Sequence, residues 1–422
     1  MEATSHVQYL ATFFFMVAIL HTFSVSFFNR IAAYAPSGSV RQRLFHLLGE
    51  VEIVFGFWSI CFILGYIFLE GKESAIEYLN TRAYKEPLFV FVIMVVCSSK
   101  PIKDFTAALI GRFVKLPILN PQIIFFFTVF SVAPLMGSFI TEPAAMTMVA
   151  TLVLNVLFQK NKISEDLKYA CLGLLFVNIS IGGTLTPYAA PPVLMVADKW
   201  GWDLSYMLGH FAWKAMLSCF VSTLIYFIIY KRQILALCIS TNNLKTSPIW
   251  VQIISLLFVA LIIVTHTTPL FFIGLFIFYL GFVKVTKKFQ EELKIKESLL
   301  VGIFLTGLVV LASLQNWWLK PIVGGISAKW LYLSSIALTA ITDNAAITYL
   351  GTLVNPLSEE SKFALVSGAV IGGGLTVIAN APNPAGYGIL NSEFGEKGIQ
   401  ARGLFIGAII PTLTAAVIFW FL

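Results

Sequence analysis

The chain is short of charge. Only 12% of its 422 residues are Asp, Glu, Lys or Arg, about half of the roughly 25% usual in soluble domains. So few charges cannot cover a soluble surface of this size, which excludes a soluble enzyme and a disordered chain. Cysteine is scarce too: Cys61, Cys97, Cys171, Cys219 and Cys238 lie far apart in apolar segments, and none forms a CxxC. That spacing excludes a disulfide scaffold and a zinc site, and five free thiols are expected. No Walker motif and no nucleophile elbow occurs. A primary pump and a hydrolase therefore have no support, and the chain is not read as an enzyme. Met1–His6 lacks the basic stretch of a secretory signal, so the apolar run from Val7 is expected to be a first membrane helix.

Apolar sequence is what the chain has in abundance, with 58% hydrophobic residues and a mean hydropathy of +0.86. A helix needs about 20 mostly apolar residues to cross the roughly 30 Å hydrocarbon core. Residues 7–29, 51–69, 87–110, 169–197, 206–231, 249–267, 269–284, 298–318, 361–395 and 403–422 meet that need. Two further stretches, 121–158 and 328–355, are too long for one helix and too broken for two. Pro134, Gly137, Thr141, Glu142 and Pro143 interrupt the first, and Thr342, Asp343 and Asn344 the second. Both read as re-entrant helical hairpins, whose irregular backbone is tolerable only where protein or a wet cavity surrounds it.

The basic residues support that count. With Ser5 outside and the hairpins not crossing, the inner segments hold 20 of the 28 Lys and Arg, the outer segments hold 7, and Lys214 lies within a helix. This is a positive-inside distribution. It accounts for the net charge of +7 through basic loops at a membrane surface and not through nucleic-acid binding. An integral protein of a bacterial inner (cytoplasmic) membrane is expected, with both termini outside.

The sequence repeats itself. Residues 140–153 (ITEPAAMTMVATLV) and 341–354 (ITDNAAITYLGTLV) agree at 8 of 14 positions without a gap. Residues 181–192 (IGGTLTPYAAPP) and 371–382 (IGGGLTVIANAP) agree at 7 of 12, and Lys100-Pro101-Ile102 matches Lys320-Pro321-Ile322 in the same order. The first repeat is read as 1–231, with hairpin 121–158 and broken helix 169–197. A linker covers 232–248, and the second repeat is 249–422, with hairpin 328–355 and broken helix 361–395. Their first helices run in opposite directions, so the repeats are inverted, as is common in secondary transporters that bind near the midplane. The expected fold is an all-α polytopic membrane protein of about ten transmembrane helices, two re-entrant hairpins and two broken helices.

Chemistry is expected where helices break. Gly182-Gly183-Thr184-Leu185-Thr186-Pro187 interrupts one crossing, and Gly372-Gly373-Gly374-Leu375-Thr376, continuing to Asn380-Ala381-Pro382-Asn383-Pro384, interrupts the other. Glycine loosens the backbone, and proline removes a donor and clashes with the preceding turn. The freed carbonyls, with Thr and Asn oxygens, suit a small hard cation such as Na⁺. Glu142 and Asp343 are carboxylates at bilayer depth and functional candidates by default. Desolvation favours the protonated form of such a group and a bound cation the ionised one, so proton and Na⁺ compete for it. The rival reading is a structural ion pair with Lys100 or Lys320. Glu50 and Glu52 read as residues of a helix start, His21 and His266 as structural, Lys214 as snorkelling, and Trp200, Trp202, Trp317 and Trp318 as interfacial anchors.

At these motifs the chain resembles the ion-transporter superfamily of elevator-type carriers, which includes divalent-anion/sodium symporters, arsenite carriers and NhaD-type sodium/proton antiporters. Gly182-Gly183-Thr184 through Pro191-Pro192 is similar to the Gly-Gly-Thr…Pro-Pro loop that breaks a helix in the anion symporters. Ile341-Thr342-Asp343-Asn344 resembles the Asp-Asn hairpin motif of the NhaD-type antiporters. The resemblance spans roughly 85–395 and implies a dimerising scaffold with a transport domain of hairpins and broken helices. The anion carriers have Ser-Asn-Thr at their hairpin tips, where this chain has Thr141-Glu142-Pro143 and Thr342-Asp343-Asn344. A fixed negative charge within about 4 Å would repel an anionic substrate strongly. With Pro143 in place of the Asn, two equivalent Na⁺ sites are not expected.

The expected activity is exchange of Na⁺ or Li⁺ for H⁺, with no cofactor, by a homodimer in the lipid bilayer. Asp343 is taken as the main cation and proton site and Glu142 as its symmetric partner. Asn344, Thr342 and Thr141 supply oxygens, supported by Gly182, Gly183, Thr184, Thr186, Gly373, Thr376, Asn380 and Asn383. Na⁺ is expected at Asp343, Asn344 and Thr376. Two other readings stay open: a Na⁺-coupled symporter of a small organic or inorganic anion, with Lys100 or Lys320 as basic partner, and a channel or non-transporting receptor.

Overall fold

A computed structural model of the protein describes residues 5–36, 38–114, 120–239, 246–395 and 397–422. Every regular element among them is helical. The chain opens with α1 (Ser5–Tyr34), α2 (Val40–Leu48), α3 (Val51–Asn80), α4 (Lys85–Cys97) and α5 (Lys100–Val114). The first hairpin follows as α6 (Pro121–Ile140) and α7 (Glu142–Phe158). Then come α8 (Glu165–Gly182), α9 (Pro191–Trp200), α10 (Leu204–Ile229), α11 (Ile249–Val264) and α12 (Pro269–Val285). The second half continues with α13 (Ile295–Ala312), α14 (Asn316–Val323), α15 (Ala328–Thr339), α16 (Asn344–Gly351), α17 (Glu359–Gly372), α18 (Asn383–Leu390) and α19 (Ala401–Phe421).

Each of the four segments expected as a hairpin or a broken helix holds two helices with an interruption at its motif: α6 and α7, α8 and α9, α15 and α16, and α17 and α18. Three expectations need correction. Residues 87–110 are not one helix: α4 stops at Cys97, and α5 restarts beside Pro101, whose ring cannot continue a helix from the preceding turn. Segment 298–318 likewise divides into α13 and α14. Residues 30–50, expected as a loop, contain α2, capped by Ser39, whose hydroxyl accepts from the Gln42 N–H at 3.1 Å. Nine residues mixing Arg41, Arg43 and His46 with Leu44, Phe45, Leu47 and Leu48 are too short and too basic for a spanning template.

Seven helices among the described residues are long and apolar enough to cross a membrane: α1, α3, α6, α8, α10, α13 and α19. The apolar α7, α11 and α12 are shorter. The 14 residues of α17 extend only about 21 Å at 1.5 Å per residue, short of a full crossing. The outer surface is rich in large apolar side chains, among them Phe68, Val264, Leu270, Phe278 and Phe421. Many buried positions are polar. That inversion fits an integral membrane protein.

The chain divides into two compact units. The first gathers Met1–Phe91, Ile295–Ser327 and Tyr349–Ser358; the second gathers Val92–Lys294, Ala328–Thr348 and Glu359–Leu422. Each draws on both halves of the sequence, so the spatial division cuts across the repeats. In the first unit α3 packs on α13, where a Cβ on Gly307 would collide with the backbone of Phe55 and Gly56. There His21 is structural: its Nδ1 accepts from the Trp58 indole N–H (3.0 Å), and its Nε2 donates to the Leu48 carbonyl (2.9 Å). In the second unit α8 crosses α19, and α15 packs on α17. Gly173 meets the Gly407 carbonyl in the first of these pairs, and Gly368 meets the Tyr332 carbonyl in the second. Close backbone approach at small residues is how helices gain contact area where lipid removes the hydrophobic drive to associate.

This packing makes a prediction. Gly173→Leu is expected to lower the unfolding free energy by about 3 kcal/mol or more, through overpacking against the α19 backbone. Gly274→Leu, where a Cβ meets open space, is expected to stay within about 1 kcal/mol of the parent. Melting of the purified chain in detergent measures both, and equal behaviour would refute the α8–α19 crossing.

Candidate functional site

The first hairpin turns at Thr141, between Ile140 at the end of α6 and Glu142 at the start of α7. Thr141 has φ 69° and ψ 149°, a region that a β-branched residue enters only under strain, at a cost on the order of 1–3 kcal/mol. Pro143 follows in the first turn of α7, where its missing N–H costs nothing. This tight turn carries Glu142 inward until its side chain has no solvent exposure. Asn380, from the second break, donates its Nδ2 to Glu142 Oε2 at 2.9 Å. Gly183, from the first break, lies so close that a Cβ there would collide with Oε1 and stand 2.6 Å from Cγ. Ser138 fastens the break to α6. Its hydroxyl donates to the Gly182 carbonyl (2.7 Å) and accepts from the Leu185 N–H (2.8 Å), while its own carbonyl accepts from Thr186 Oγ1 (2.7 Å).

The second hairpin turns differently. Asp343 is half-buried, and its Oδ1 accepts the N–H groups of Ala345 (2.7 Å) and Ala346 (3.3 Å). It caps α16. The next residue, Asn344, is the one fully buried, with Nδ2 3.4 Å from Ser180 Oγ. A Cβ on Gly373 would stand 3.0 Å from that Nδ2 and collide with Ser180 Oγ. Asn383 donates to the carbonyls of Gly373 (2.7 Å) and Thr376 (2.9 Å), closing the second break on itself.

The two tips therefore meet the two breaks within the second unit. Glu142 faces Gly183 of its own half and Asn380 of the other; Asn344 faces Gly373 of its own half and Ser180 of the other. The Glu142 and Asp343 carboxyls lie near enough to interact electrostatically. Sequence alignment pairs Glu142 with Asp343, but Asn344 takes the equivalent place against the glycine. Thr342, Thr184 and Thr376 direct their hydroxyls to the carbonyls of Leu338, Ile181 and Ala340. Gly182 packs against the Pro134 carbonyl. Ser138 and Ser180 were not singled out from the sequence. Their one signal is adjacency to the Gly137 and Gly182 interruptions.

Five buried oxygens here have no hydrogen-bond partner: Thr141 Oγ1, Glu142 Oε1, Asn344 Oδ1, Asn380 Oδ1 and Asn383 Oδ1. A buried polar atom left unsatisfied costs about 1–3 kcal/mol, a cost that water or a ligand taking oxygen donors would remove at these five oxygens. The described residues contain no group of three or more His, Cys, Asp or Glu placed to hold a metal ion. The donors are instead amide, hydroxyl and carboxyl, the chemistry of a hard cation. Of the lysines of the rival readings, Lys100 pairs with Asp104 at 2.9 Å, and Lys320 is exposed on α14.

A family model described as "Putative Na+/H+ antiporter" matches residues 6–422. No curated protein matches the chain.

The contact between Gly183 and Glu142 can be tested without an activity assay. Gly183→Ala is expected to destabilise the chain by about 1–3 kcal/mol, through a methyl group driven into a buried carboxyl. Glu142→Asp, one methylene shorter, is expected to recover part of that loss in the double variant. Strict additivity of the two melting shifts would show that the side chains do not touch.

Proposed function

The chain belongs to the family described as putative Na+/H+ antiporter, and from that premise we propose that it exchanges Na⁺ or Li⁺ for H⁺ at the hairpin tips and helix breaks. The observation that carries the proposal is the set of unpartnered oxygens at the tips and breaks, one of them on the fully buried carboxyl of Glu142. A carboxylate removed from water must be neutralised by a proton or by a cation. When a proton occupies Glu142, the neighbouring amide oxygens attract a cation less strongly. When a cation sits among them, the carboxylate is stable without its proton. One ion displaces the other, and exposing the site alternately to the two sides of the membrane turns that competition into exchange.

Glu142 takes the principal role in this reading, and Asp343 a supporting one. Asp343 spends Oδ1 on two N–H groups at a helix start, where a carboxylate meets the positive end of the helix dipole. It contributes a standing negative potential that attracts cations to the site. The same potential opposes an anionic substrate, and the Lys100 that an anion symporter would use is paired with Asp104.

In everted vesicles carrying an imposed pH gradient, Na⁺ is expected to dissipate the gradient through the parent chain. Glu142→Gln is expected to fall to the level of vesicles lacking the protein. Asp343→Asn is expected to keep exchange, because Asn caps a helix about as well as Asp. Full exchange by Glu142→Gln, or its complete loss in Asp343→Asn with normal folding, would overturn the assignment.

A further inference from the structure

We propose that Ser180 is a positioning residue for cation binding: it fixes the Asn344 amide so that the carbonyl end, never the NH₂ end, is presented to the ion. The inference rests on the exchange reading for the identity of the ion and adds a residue outside the set that touches it.

An asparagine amide has two ends of nearly equal shape and opposite sense, one accepting and one donating. Turned one way it offers a cation an oxygen; turned the other it offers two N–H groups that repel it. Only the neighbours decide. Ser180 is fully buried on α8, two residues before Gly182. Its single hydroxyl hydrogen goes to the Val370 carbonyl on α17, at 2.7 Å. Toward Asn344 it therefore has only lone pairs left, and these demand the NH₂ group, which stands 3.4 Å away. Asn344 Oδ1 is left turned from Ser180 and unpartnered.

The same logic locks Asn383, whose two N–H bonds go to carbonyls that can only accept, and its Oδ1 is unpartnered as well. Asn383 needs no helper, because the backbone of its own break holds it. Asn344 sits at a hairpin tip, and of the two it alone depends on a side chain from the other half. Ser180 and Val370 occupy matching places in the two repeats, one residue before the Ile-Gly-Gly of each. The Ser180 bond thus joins the two broken helices at equivalent points and passes that fixed relation on to the tip.

The test is direct binding of radioactive sodium to the purified full-length chain in detergent at constant pH, beside exchange in vesicles. Ser180→Ala frees the amide to turn and is expected to weaken sodium binding about tenfold, the worth of one well-placed neutral oxygen, with maximal exchange rate little changed. Adding Asn344→Asp to Ser180→Ala is expected to restore most of the affinity, because a carboxylate presents an oxygen whichever way it turns. A merely structural serine would lower the yield of folded protein or the maximal rate and would not be rescued at position 344. Unchanged sodium affinity in Ser180→Ala, or no recovery in the double variant, overturns the inference. Sodium binding by the parent without exchange would instead defeat the exchange reading alone.

Discussion

A chain that leaves the helix inside a nonpolar region must satisfy every backbone group it frees, and this structure follows from how it does so. At the first break Ser138 serves the Gly182 carbonyl and the Leu185 N–H. At the second, Asn383 serves the Gly373 and Thr376 carbonyls, and Thr376 reaches the Ala340 carbonyl. Among buried side-chain atoms, those left without a partner at the tips and breaks are oxygens. Unpartnered oxygens suit a cation better than an anion.

A near-duplicate sequence has produced two unlike tips, and one methylene explains much of the difference. Asp343 is short enough to fold back onto the N–H groups of Ala345 and Ala346, the preferred geometry of a capping residue. Glu142 is one carbon longer and stands inside the first turn of its helix, with Thr141 at the cap position. Its carboxyl is not drawn back to its own helix and extends inward to Asn380. The strained Thr141 backbone aims it there. In the second half the inward position falls to Asn344, which is neutral. The duplicated frame therefore gives its two inward positions to one titratable group, Glu142, and one amide, Asn344.

Much of this was legible beforehand, for physical reasons that also mark where legibility ends. Gly-Gly, Pro and acidic residues inside apolar runs have few compatible backbone conformations, so Gly182–Pro192, Gly372–Pro384 and the tips at 141–143 and 342–344 were found as breaks. The pair Gly183 and Gly373 owes its place to close approach by Glu142 and Ser180, which glycine identity hints at without naming the partner. The α2 helix and the Cys97–Lys100 interruption escaped notice because a window of about 20 residues averages over them. The deeper burial of Glu142 than of Asp343 escaped for a different reason. Alignment matches positions along the chain, whereas burial depends on where a side chain goes after the turn, and capping by Asp343 is a local bond that no repeat comparison registers. Ser138 and Ser180 act through single hydroxyl hydrogens, and serine in an apolar helix is too common to draw attention.

Charge accounting narrows what such a site can hold. Glu142 is the fully buried carboxyl of the constellation; the other unpartnered donors are neutral amide and hydroxyl oxygens. A proton or a monovalent cation leaves that carboxyl electrically balanced. A divalent cation leaves a net positive charge in surroundings where an isolated charge is costly, offset only by the standing charge of Asp343, whose oxygen is committed to backbone N–H groups. Divalent ions also take six or more oxygens, commonly several carboxylates, and this set offers one carboxylate among five oxygens. The balance between one carboxyl and neutral amides therefore favours a monovalent ion, and the proton is the one competitor that needs no coordination sphere at all.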